Sequence, residues 1–174
     1  MVFAYLELLE ENPLAFIVFF GALVTALLVG ISFHEASHAF VADSLGDPTS
    51  RRLGRVSLNP LAHLDPVGTL LLFLVGFGWG KPVPVDDRYF QRPHIGMATV
   101  AAAGPLANFA IAAIAGFPLR AGWVPWLTPF NTAVINSFLR GDLDTADYAG
   151  VFLSSIVLIS IILGVFNLIP LFPL

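Results

Sequence analysis

The sequence predicts an all-α membrane protein with three full transmembrane helices, a short re-entrant apolar segment and a small extended stretch. The first observation is composition. Hydrophobic residues make up 57% of the 174 residues and charged residues 11%, whereas a soluble domain typically has about 45–50% and about 25%. The second is segmentation: residues 14–33, 95–119 and 150–169 are three apolar runs, each close to the ~20 residues that cross a hydrocarbon core. The third is charge segregation. Six of the eight Lys and Arg (Arg51, Arg52, Arg55, Lys81, Arg88 and Arg92) fall between the first two runs. The net charge of −4 therefore says little about partners.

The length suits one domain, with residues 1–13 as an N-terminal interfacial segment. Glu7, Glu10 and Glu11 stand where a cleavable leader would be basic, so the first helix is expected to act as its own insertion signal. Pro13 suits the first helical turn. The helix is expected to run through His38 to about Leu45, where Gly46-Asp47-Pro48 ends it.

Residues 49–64 are polar, basic and rich in turn residues. Arg51, Arg52 and Arg55 read there as topology and headgroup contacts, and no interleaved aromatics suggest a nucleic-acid surface. Residues 67–79 are apolar but too few to span, which reads as a re-entrant segment. Lys81-Pro82-Val83-Pro84-Val85 reads as an edge strand or a polyproline-like arm. The second span carries Gly104-Pro105-Leu106-Ala107-Asn108 among many small residues, which suits close helix packing. Residues 120–147 read as a loop, with Trp123 and Trp126 in an aromatic belt. The third span ends in Asn167-Leu168-Ile169-Pro170-Leu171-Phe172-Pro173-Leu174. The basic residues place the segment between spans one and two in the cytoplasm. His34–His38 and the end of the third span then meet on the same side.

The chemistry concentrates in His34-Glu35-Ala36-Ser37-His38. Residues four apart share a helix face, so both imidazoles can reach one ion, with Glu35 beside them. This HExxH pattern is the zinc-protease arrangement: two neutral histidines bind Zn²⁺ and the glutamate is general base. Three ionisable residues within five positions on an apolar helix are costly unless they function. The competing reading is a pair of interfacial histidines bonded to water. With no cysteine in the chain, thiolate ligands and disulfides are excluded. His94 reads as an interfacial residue, and Asp43, five residues past His38, turns away from the metal face.

HEASH on one membrane helix, GPLAN in the next span and NLIPLFPL closing the last resemble the site-2 protease family of intramembrane zinc metalloproteases. The SLNPLAHLDPVG and GWGKPVPV stretches resemble its compact bacterial members. The resemblance implies a zinc endopeptidase of a bacterial inner membrane, its site toward the cytoplasm. It would cleave transmembrane segments of membrane proteins, as in regulated intramembrane proteolysis. His34 and His38 would be ligands and Glu35 the base. Asn108 would hold the substrate backbone or the oxyanion, against the plainer reading of an interhelical hydrogen bond. The 81–85 stretch would pair with unwound substrate. The family's last motif continues into Asp-Gly, whose Asp is the third ligand, and this sequence ends at Leu174. Either it is a fragment, or Asp65 or His63 substitutes; the plainer reading of those two is turn chemistry. A catalytically degenerate membrane zinc-binding or adaptor protein is the alternative function. A metal transporter would need ionisable residues on several spans, and the second and third carry none.

Overall fold

A computed structural model describes residues 9–10, 12–75 and 78–168. Three helices are long and apolar enough to cross a membrane: α1 (Pro13–Ser44), α4 (Pro93–Arg120) and α6 (Thr145–Leu168). Between α1 and α4 lie the short α2 (Thr49–Arg52) and α3 (Pro66–Val75). Between α4 and α6 lies α5 (Thr132–Leu139). The protein is a membrane protein built on these three helices, with α1, α4 and α6 packed pairwise on one another.

Helix α1 starts where the sequence dictates. The Asn12 side chain accepts the Ala15 N–H at 3.0 Å, and Pro13 has no N–H to leave unpaired. It ends at Gly46, whose φ of +105° only glycine adopts without strain. At 1.5 Å per residue α1 is about 48 Å long and outlasts a hydrocarbon core of ~30 Å. Its last turns, including HEASH, thus lie toward one end of the span.

The packing faces are stripes of small residues at helical spacing. On α1 the buried positions run Ala15, Phe19, Ala22, Ala26, Gly30 and His34. On α4 they run Gly96, Val100, Gly104, Asn108 and Ala112. Lipid is as apolar as leucine, so span association rests on close van der Waals fit, which small residues allow. His34 is interior because it continues the α1 stripe by one more turn.

One segment differs from the sequence expectation, and in a second the strand falls away and the extended arm remains. Residues 120–147 contain the helix α5, whose N-terminus is capped by the Asn131 side chain on Ala133 N at 2.9 Å. Val134 and Phe138, four apart, pack it onto Ala15, Phe19 and Val151. The 81–85 stretch forms no strand among the described residues; only an antiparallel bridge, Leu64 to Gly80, precedes it. Pro82 and Pro84 lack the N–H groups that would extend a ladder. The re-entrant expectation for 67–79 falls on α3, about 15 Å long at 1.5 Å per residue and far short of a span. It packs on none of the other helices among the described residues.

Candidate metal centre

One face of α4 builds the site onto α1. Val100, Gly104 and Asn108 are successive four-residue steps, and each meets the HEASH turn. The Val100 carbonyl accepts from His38 Nδ1 at 2.6 Å, so the lone pair of that ring lies on Nε2. The Asn108 carboxamide, fully buried, lies 3.0 Å from His34 Nδ1. Its Oδ1 has no protein partner. The two ends of an amide are nearly isosteric. It is Nδ2 that faces the ring; with the amide turned end for end, Oδ1 would accept from His34 Nδ1–H and leave the His34 lone pair on Nε2 as well.

Gly104 shows where those two nitrogens point. A Cβ built there would stand 2.6 Å from His34 Nε2 and against His38 Nε2 as well. Any side chain at 104 would fill the space the two nitrogens share. The rings themselves are 4.6 Å apart, centroid to centroid, at 80°. Two imidazoles with Nδ1 engaged and Nε2 converging form the donor geometry that zinc takes, second-shell partners included. On this ground the residues present fit the ion, as two of its ligands. Glu35 completes the cluster from the neighbouring α1 position; Gly80 stands close enough that a Cβ on it would lie 3.8 Å from Glu35 Oε1.

The remaining candidates are engaged elsewhere. Asp65 Oδ1 accepts the Gly68 N–H at 2.8 Å, in the first turn of α3. His63 is fully buried, its Nε2 bonded to the Ser57 carbonyl at 2.7 Å and its own carbonyl to Lys81 N at 2.8 Å. Burial pushes the His63 pKa down, partly opposed by the Ser57 bond. Among the described residues no three His, Cys, Asp or Glu side chains gather in one metal-sized group. Residues 169–174, which close the last motif, lie outside the described residues.

Arg55 departs from the sequence reading. It is 4% exposed, turned into the protein and not toward the surface. Its guanidinium donates to the carbonyls of Ala62, Lys81 and Pro82. Arg51 and Arg52 are exposed, and Arg51 pairs with Asp43. Gly54 and Val56 around Arg55 were the available hint that it does not continue the Arg51-Arg52 surface pair.

Relatives bear on the same residues. “Putative zinc metalloprotease YwhC” of Bacillus subtilis (strain 168) is 38% identical over 152 residues, which cover 87% of this chain and 64% of that protein. “Putative zinc metalloprotease Rip2” of Mycolicibacterium smegmatis (strain ATCC 700084 / mc(2)155) is 29% identical over 120 residues, 66% of this chain and 46% of that protein. The chain is similar to these putative zinc metalloproteases, which is consistent with the site-2 protease resemblance of its ordered motifs. The matched region spans less than two thirds of the length of either relative. No family model and no solved structure matches the chain. The names of the relatives support a metalloprotease function that uses zinc.

Proposed function

We propose that this chain forms the core of an intramembrane zinc metalloprotease that hydrolyses peptide bonds within or near transmembrane segments of membrane proteins. The observation that carries this reading is the convergence of His34 and His38 Nε2 on the face of Gly104, with Glu35 beside them. His34 and His38 would hold the ion. Zinc, when bound, polarises a scissile carbonyl and makes water nucleophilic near neutral pH. The Glu35 carboxylate takes a proton from the attacking water and returns it to the leaving amine. The 3.0 Å contact to His34 supports an orienting role for Asn108 over an oxyanion contact.

A helical peptide bond is shielded by its own hydrogen bonds, so the substrate must unwind before cleavage. The arm 81–85 lies next to Gly80 and Glu35, and Val83 N–H and C=O take no protein partner among the described residues. These groups suit backbone pairing with an extended substrate. The basic residues between α1 and α4 support a site that faces the cytoplasm, and the bacterial relatives support a bacterial inner membrane as its setting. Water would enter past the break after Leu45.

A non-catalytic zinc-binding protein is the second reading. It is favoured by one observation, that no third metal-ligating side chain joins the pair among the described residues. The variant Glu35→Gln separates the two. The protease reading expects full zinc content and no cleavage of a single-span peptide; cleavage that persists in this variant contradicts the mechanism.

A further inference from the structure

The buried Arg55 has no role in the chemistry above, and a buried cation is expensive unless its donors are satisfied. No carboxylate forms a salt bridge with it among the described residues. Backbone carbonyls of two separate segments hold it instead: Ala62 on one side, Lys81 and Pro82 on the other. A planar guanidinium with five donors in a fixed fork spans such a set; an ammonium or a carboxamide does not. The backbone of Arg55 is itself fixed, its N–H on the Ser50 carbonyl at 2.9 Å and its carbonyl on Ser57 N at 2.9 Å. Ser50 Oγ in turn donates to the Pro84 carbonyl at 2.5 Å.

These contacts meet at Gly80, which stands between the His63 carbonyl and Glu35 Oε1. The Leu64–Gly80 bridge and the bond from Lys81 N to the His63 carbonyl close the same junction. Arg55 and Glu35 thus flank one backbone junction, Arg55 on the Lys81 and Pro82 carbonyls and Glu35 against Gly80.

We propose that Arg55 is a positioning residue for proteolysis: it fixes the 80–82 backbone beside Glu35 and so sets the substrate-pairing arm in register with the HEASH turn. This rests on the protease reading for its consequence in catalysis, while the fixing of the arm stands apart from it. An unanchored arm would pair with substrate at an additional entropic cost, which raises KM. Loss of folded protein, by contrast, lowers apparent kcat and leaves KM alone.

The chain has no cysteine, so nitroxides on Lys81→Cys and Phe40→Cys, both exposed side chains, report the distance between arm and α1. The expected result is one narrow distance with Arg55 and a broad, multimodal distribution with Arg55→Gln. An equally narrow distribution in the variant overturns the proposal. If the Gln variant cannot be purified, Arg55→Lys decides: an intermediate width supports the proposal and a parental width overturns it. With a fluorogenic single-span peptide, Arg55→Gln is expected to raise KM about tenfold, ~1.4 kcal/mol of binding, with a smaller change in kcat. A fall in kcat at constant KM overturns it. A parent protein that cleaves nothing contradicts the protease reading and leaves the distance result to stand alone.

Discussion

Two regions meet at this site and are held by different physics. The helix pair α1–α4 is joined by small residues at four-residue intervals, and among the described residues its polar contacts at the site grip the two imidazoles. The segment between α1 and α4 adds Phe90 and Val85 to one small apolar cluster with Ala42 and Val100, and otherwise leans on polar ties. Polar side chains on backbone groups hold it: Arg55 on three carbonyls, Ser50 on Pro84, and Asp47 on Thr49 N and Asp86 N. The first region is rigid because close-packed helices tolerate no added volume. The second is rigid only while each polar tie is made. A metal centre suits the first, and a surface that must admit a peptide suits the second.

The comparison breaks most sharply at Gly104. The variant Gly104→Val puts a side chain where both Nε2 atoms point. Zinc content is expected to fall to background while α1 and α4 remain helical by circular dichroism. Full zinc occupancy in that variant would show that the ion is held elsewhere.

Asn108→Leu sharpens the same comparison with a smaller effect. It keeps the volume and removes the amide on His34 Nδ1. Loss of such an outer-shell partner typically weakens metal affinity about 10–100-fold. A zinc competition titration checks it, and an affinity equal to the parent's returns Asn108 to the substrate side.

The polar region should answer to pH through His63. Burial holds the His63 pKa below its ordinary value, so the imidazole stays neutral in the folded chain. Below about pH 6.5 the unfolded chain binds a proton that the folded chain refuses, so stability falls with pH in that range. Thermal melts of the parent and His63→Gln between pH 7.5 and 5.5, the range spanning roughly a unit on either side of the ordinary histidine value, test this. The parent's Tm is expected to drop on acidification more than the variant's. Equal slopes would remove His63 from the account.

The smallest effect is expected at Arg51→Ala. Its pair with Asp43 is solvent-exposed on the arginine side, and such pairs contribute little. No measurable change in Tm is expected, and a large drop would mean that surface pairs also brace this segment.

The same contrast explains what the sequence could say. Periodicity made the spans legible, because a helix face repeats every four residues and lipid demands long apolar runs. The HEASH spacing told that His34 and His38 share a face, and their rings do lie side by side. The stretch GPLAN was legible as a packing motif, yet the part Val100 plays comes from its carbonyl, which no residue type announces. Helix α5 was missed because eight residues in a mixed stretch carry only one inward pair, Val134 and Phe138. Arg55 was sorted with its basic neighbours because burial of an arginine depends on distant carbonyls, at 62, 81 and 82, that only the fold brings together.

The central claim is that His34 and His38 hold one zinc ion through Nε2. The most direct measurement is the zinc content of the detergent-purified chain beside His34→Ala and His38→Ala. The account predicts near-stoichiometric zinc in the parent and its loss in each variant. Zinc that survives both substitutions, or a parent that binds none, contradicts it.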